Sequence, residues 1–570
     1  MPDTSETTGL LSVTLARSNE VSEEEFINYV QQRRASIASV GTDHIPPHFA
    51  LSAKRSRNSV DDTLSAARSN ISVANSSINA ILSHNSEVLL GEPKTSLYTE
   101  TKVLLEYSVP LVITFLLQYS LTVASVFSVG RLGSKELGAV SLSSMTANIS
   151  GYAIVQGVST CLDTLCAQAF GRKDYTTVGL YFVRCTYLLA LLYIPIFILW
   201  VFCSKSILVF LVGESQKELA ELAATYLQIL ALGLPGFILF ENLKHFLQAQ
   251  GIFHASTYVL LVCAPLNALL NYLLVWNKHI GLGFIGAPLS VVISDWLMCF
   301  FLLWYTLYVD GYRCLPRLLL FDRRYFQNWR KMTDLSVPGV LMVEAEWLAF
   351  EIITFTASTF GTDVLAAQSI VSTTCVLLYQ VSFAISIAAS TRIAWYVGAA
   401  SKKALLIATK ASIYTAAVFG CLNAIILFSL RDFFASLYTN DPNVLHIASQ
   451  VLIVGALYQI NDFLACTTGG ILRGQGRQKI GGYLNLISYY LIALPCAFVF
   501  AFYFDLKLVG LWMGMVIALL FISVAQVYFV IFSDWDKIIR LCINEGVLEE
   551  GNVHIDAHSV LPAMLSSNIV

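Results

Sequence analysis

From about Lys102 onward the chain alternates long apolar segments with short polar connections, and twelve such segments can be counted: 102–127, 137–165, 177–203, 218–242, 254–276, 285–308, 335–359, 364–395, 403–430, 443–469, 480–504 and 508–533. A helix of ~20 apolar residues crosses a bilayer. Only 13% of the 570 residues are charged, against about 25% in soluble domains. The pattern predicts an all-α polytopic membrane protein with twelve transmembrane helices. Pro110, Pro235-Gly236, Pro265, Pro338-Gly339 and Pro495 interrupt several segments. Such breaks persist in a membrane when the freed backbone groups find protein partners or face a wet cavity.

The segments fall into two related sets of six. Ser108-Val109-Pro110 recurs as Ser336-Val337-Pro338, and LGAVSL at 137–142 as LAAQSI at 365–370, both at a shift of 228. FLQAQG at 246–251 then pairs with ILRGQG at 471–476, and Ile285-Gly286 with Val509-Gly510. A near-constant offset through four places predicts two pseudo-symmetric six-helix lobes in the same orientation, with substrate handled between them by rocking of one half against the other. The expected organisation is a disordered Ser-rich cytoplasmic tail at 1–98, a first lobe at 99–308, a basic linker at 309–334, a second lobe at 335–533 and a C-terminal tail at 534–570.

With both ends inside, the cytoplasmic connections hold Arg172, Lys173, Lys244, Arg313, Arg317, Arg323, Arg324, Arg330, Lys331, Lys402, Lys403, Arg473, Arg477 and Lys479, about twice the basic residues of the other face. That bias predicts cytoplasmic termini. The basic linker is expected against the anionic inner leaflet. In the N-terminal tail Arg33-Arg34-Ala35-Ser36 and Arg55-Ser56-Arg57-Asn58-Ser59 have a spacing suited to basic-directed kinases, beside the plainer reading of a basic patch. The N-terminus lacks the basic and apolar regions of a signal peptide. The twelve cysteines form no CxxC pair and read as small buried hydrophobes, and a net charge of −3 gives no sign of a nucleic-acid partner.

The seventh segment carries Glu344, Glu346 and Glu351 in its middle. A central membrane carboxylate costs about 2.5–3.5 kcal/mol on insertion scales, so it usually faces a watery or protein-lined interior and handles ions or substrates. At 100° per residue Glu344 and Glu351 share a stripe, while Glu346 points about 140–160° away. Asp462, with Thr467 and Thr468 below it, places a second acid in the tenth segment. Low dielectric and a like charge nearby both favour the protonated form of a carboxylate, as proton coupling requires. Gln118, Asp163, Asn267, Asn271, Asp295, Tyr379 and Gln380 are further polar groups at membrane depth, most readily explained as interhelix hydrogen bonds. Trp347, Tyr379 and Tyr458 suit flat organic cations by cation–π contact, or simply pack.

In EWLAFE at 346–351, LAAQSIV at 365–371, AASTR at 388–392, LDTLCAQ at 162–168 and ACTTGGILRG at 465–474 the chain resembles the eukaryotic branch of the multidrug and toxic compound extrusion transporters, and its long Ser-rich tail resembles that of fungal members. The resemblance runs from about Glu100 to Trp535 and implies two six-helix lobes in a V and exchange of an organic substrate for protons or sodium. It implies that Glu346, Glu351 and Asp462 carry coupling, Asp462 standing where the family often has glutamate. Gln118 lies where prokaryotic relatives use an aspartate, which favours coupling through the second lobe. Glu344 falls where no acid is expected.

The resulting expectation is a monomeric antiporter of the vacuolar or plasma membrane, without a cofactor, that exports organic cations, xenobiotics or small metabolites for protons rather than Na+. Gln118, Asn271, Trp347, Tyr379 and Thr467 are candidate cavity-lining residues. The alternatives are an exporter or flippase of one specific or lipid-linked metabolite, and a multispan acyltransferase-like enzyme. The enzyme would want a histidine beside its acids, and no histidine is placed near the centre of an acidic segment.

Overall fold

The computed structural model describes residues 95–213, 216–277, 279, 281–315, 322–544 and 546. Both arginine–serine motifs, nearly all of the N-terminal tail, the C-terminal tail from 547, and Arg317 lie outside these residues.

Every regular element among the described residues is helical. The spans are α1 (Leu97–Gly130), α2 (Ser134–Ala147, continued by Ala153–Gly171), α3 (Tyr175–Phe210), α4 (Lys217–Ala249), α5 (His254–Trp276), α6 (Gly283–Tyr308), α7 (Trp329–Ser358), α8 (Thr362–Gly398), α9 (Lys402–Ser429), α10 (Pro442–Gly474), α11 (Gln478–Tyr503) and α12 (Lys507–Ile531). Ten are long and apolar enough to cross a membrane. The other two are α2, rich in Ser, Thr and Gly, and α7, with its three glutamates. Together they form the two six-helix lobes, α1–α6 and α7–α12.

Local sequence explains how these helices begin and break. The Asp174 carboxylate accepts from Thr177 N at 3.2 Å and starts α3; Asp441 accepts from Asn443 N at 2.9 Å and starts α10, with Pro442 in the first turn. Both caps satisfy backbone donors that a helix leaves free at its start. In α4 the helix yields at 231–233, just before Pro235, which then occupies the first turn of the continuation. Proline fits there because no intrahelical N–H bond is due. Within α1, the carbonyl of Pro110 takes a hydrogen bond from Thr257 of α5 at 2.8 Å.

Several helices run past their expected ends, and in two this moves a basic residue from a connection into a helix. α4 continues beyond 242 to Ala249 and α10 beyond 469 to Gly474, so Lys244 and Arg473 are not connection residues. They are 3% and 6% exposed, inside helices. Each is sheltered by neighbours that sequence hydropathy does not register: Glu241 for Lys244, and Ser386 with the Phe383 ring for Arg473.

The lobes meet where α2 crosses α7. A Cβ on Gly157 would collide with the Val340 backbone, and one on Gly339 with the Gly157 carbonyl, so only glycine permits this approach. Beside the crossing, Thr164 Oγ1 donates to the Arg473 carbonyl at 2.6 Å and Gln168 Nε2 to that of Gly474 at 3.0 Å. Gln478 Nε2 donates back to Thr160 O at 3.3 Å and Thr164 Oγ1 at 3.1 Å. Trp395 Nε1 adds a bond to Ala249 O at 2.8 Å. These contacts gather at the face of the α2–α3, α4–α5 and α10–α11 connections.

A smaller unit holds, among the described residues, 95–100, 396–408, 534–544 and 546. Among its described residues, Tyr396 Oη donates to the buried Glu100 at 2.6 Å and Lys402 pairs with Asp536 at 2.6 Å.

Candidate functional site

The second lobe brings two of the sequence-predicted acids together. Glu346 projects from α7 toward α10 and α11, where the hydroxyls of Tyr458 and Tyr489 lie near its carboxylate. Asp462, 2% exposed on α10, lies within electrostatic range of Glu346. Its Oδ2 accepts from Ser382 Oγ of α8 at 3.3 Å. Tyr379 is within range of both acids and stacks on Phe383 with centroids 5.7 Å apart. Among the described residues neither carboxylate has an ion-pair partner.

Helix geometry separates the remaining glutamates. α7 is continuous through Pro338 from Trp329 to Ser358, so its stripes stay about 140–160° apart. Glu351 is half-buried with no second carboxylate beside it. Glu344 has a buried Oε1 without a hydrogen-bond partner and Tyr490 as its ionisable neighbour. Trp347 is 37% exposed. Thr467 is buried, and its Oγ1 has no partner.

Gln118 and Asn271 belong to the first lobe. Asn271 Nδ2 is spent on Asn267 O and Oδ1, both at 3.1 Å, and on Ser125 Oγ at 3.5 Å, which ties α5 to α1. Gln118 Nε2 donates to Glu241 Oε1 at 2.7 Å. The first lobe therefore holds a buried carboxylate beside Gln118, contributed by α4. It also holds a histidine beside acids: His245 Nδ1 lies 2.6 Å from Asp163 Oδ1.

Tyr489, Ser382, Glu241, Lys244 and His245 are the site residues that sequence reasoning missed. For the last three a signal existed. Positions i, i+3 and i+4 share one helix face, so Glu241, Lys244 and His245 form a set in which charges of opposite sign offset each other. Tyr489 sits in a π-helical turn, Ser488–Ala493, and reaches Glu346 from far along the chain.

No group of three or more potential metal-ligating side chains occurs among the described residues.

The MatE family model matches residues 110–273 and 338–499, once in each half. An uncharacterized transporter of Saccharomyces cerevisiae is 44% identical over 457 residues, 80% of this chain; the match spans 65% of that relative's length. Multidrug and toxin extrusion protein 1 of Homo sapiens is 29% identical over 81% of this chain and 80% of its own. The crystal structure of the eukaryotic MATE transporter AtDTX14 is similar with a TM-score of 0.73 at 26% identity, covering 79% of this chain and 99% of that one.

Proposed function

This chain belongs to the multidrug and toxic compound extrusion (MATE) family of membrane transporters, and on that premise we propose that it exports small organic cations from the cytosol in exchange for protons. As a member of that family it is a transporter and not an enzyme. The observation that carries the proposal is the Glu346–Asp462 pair: a half-buried acid and a buried one in one site, with tyrosine and serine hydroxyls near them and no ion-pair partner among the described residues.

Two like charges cannot both stand in a low-dielectric pocket without compensation. A proton or a cationic substrate satisfies the same need, so each displaces the other. Tyr379, Tyr458 and Tyr489 add π faces suited to a flat cation. The name of the human relative supports an organic substrate class. Alternating access then opens and closes the seam in turn with the opposite side. In our reading the seam faces the cytosol, together with both termini. The basic-residue bias supports this orientation, standing at about twelve to seven without Lys244 and Arg473. Glu351 serves as a third acid on the route to the pair.

The experiment is uptake of a panel of organic cations into proteoliposomes under an imposed pH or sodium gradient. The wild type should accumulate cations against a proton gradient, and Glu346→Gln and Asp462→Asn should each lose gradient-driven accumulation. Full transport in both variants, or transport driven by sodium alone, would overturn the proposal.

A further inference from the structure

The first lobe contains a buried acid–base cluster that the proposed coupling pair does not use. Asp163 comes from α2, Glu241, Lys244 and His245 from α4, and Asp295 from α6; all are at most 4% exposed. Lys244 Nζ lies 2.7 Å from Glu241 and donates to Gln118 Oε1 of α1 at 3.3 Å. The cluster thus sets three carboxylates against one ammonium. Asp295 Oδ2 and Asp163 Oδ2 are buried without a hydrogen-bond partner. Asp295 lies within electrostatic range of Glu241 and beside Tyr152 and Tyr226.

The two imidazole nitrogens of His245 have different neighbours. Nδ1 is 2.6 Å from Asp163 Oδ1, where a hydrogen on this nitrogen would donate to the carboxylate. Nε2 faces Glu241 Oε2 at 3.9 Å. In the neutral ring a lone pair at Nε2 confronts an anionic oxygen; a proton there turns the contact into an attraction. The groups facing the ring are Asp163 from α2 and Glu241 and Lys244 from its own helix, with Asp295 of α6 behind Glu241. α1 contributes the neutral Gln118, and the thiol of Cys166 lies within electrostatic range of Asp163.

We infer that this cluster is a second proton-loading site, in which an exchangeable proton binds Nε2 of His245 between Asp163 and Glu241. Loading breaks one O–H bond of hydronium and forms one N–H bond at the Nε2 lone pair, leaving water; unloading reverses both. The acid excess makes the cluster receptive. The lysine already on Glu241 keeps the proton from being held permanently, because it shares the same carboxylate. The inference stands whether or not the second lobe couples transport.

Proton binding by the purified full chain in detergent, titrated between about pH 5 and pH 9, tests it. His245→Gln should lack one proton step that the wild type shows. Asp163→Asn, which keeps the imidazole, should displace the same step and carries the test alone if the first variant does not fold. Asp462→Asn should leave that step in place. Coincident curves for wild type and the first-lobe variants would overturn the inference. If only Asp462→Asn changes the curve, the second-lobe reading survives and this one falls; if only the first-lobe variants change it, the reverse holds.

Discussion

The rings of Phe115 and Phe383, one from each lobe, lie with centroids 5.1 Å apart, and each is also approached by a buried cation of its own lobe. Lys244 Nζ is 5.4 Å from the Phe115 centroid, and Arg473 Cζ is 5.7 Å from that of Phe383. Leu111, Phe253, Ala384 and Ile387 complete an apolar plug around the rings. The acid cluster of the first lobe thus reaches this contact through Lys244, while Tyr379 links it to the acid pair of the second.

Replacing Phe383 by Leu should weaken the plug. An aromatic pair contributes about 0.5–1.5 kcal/mol beyond its buried area, equivalent to a roughly 2- to 13-fold larger open population at the seam. Alkylation of a cysteine introduced at Thr164 would report it. Equal labelling with and without Phe383→Leu would show that the aromatic contact does not hold the lobes.

At the α2–α7 crossing, Gly157→Val should be far more disruptive than its size suggests, since its side chain would enter the Val340 backbone. Overpacking costs about 1–3 kcal/mol. Here the lobes can part to relieve it, so transport should fall at least about tenfold with little loss of folded protein. Near-normal transport by Gly157→Val would refute the close approach.

Lys244→Met should destabilise the protein by about 3–5 kcal/mol, because Glu241 would be left buried without its cation. The double variant Lys244→Met with Glu241→Gln should recover most of that loss. Thermal unfolding of the two variants in the same detergent decides the matter. A double variant no better than the single would mean that the lysine acts through packing alone.

Glu344→Gln should transport within about twofold of wild type, in contrast to Glu346→Gln. The two residues differ by only two positions, yet the helix turns them to opposite sides. Comparable losses in both would show that a single polar cavity spans both faces of α7.

The twelve spans were legible because hydrophobic length and spacing are local quantities, and the near-constant repeat offset added the two lobes. The angular argument on α7 separated Glu346 from the stripe of Glu344 and Glu351, and the structure places Glu346 beside Asp462. Glu351, grouped with that pair by motif, stands apart in space. Lys244 and Arg473 were misplaced because window hydropathy treats a lone charge as a surface residue, and cannot see Glu241 one turn earlier or a ring supplied by another helix. Ser382 and Tyr489 carry no sequence signal at all. Their contribution depends on contacts made across the bundle.

The polar part of the seam is built from side-chain amides and hydroxyls bonded to main-chain oxygens at the last turn of α10, where Arg473 O also keeps the Gly476 N–H at 2.9 Å. Water can replace each of these donors when the lobes part, and a bond of this kind contributes only about 0.5–1.5 kcal/mol net. Opening therefore leaves no orphaned carbonyl behind, and the energy landscape between closed and open stays shallow. Such a joint favours repeated cycling over permanence.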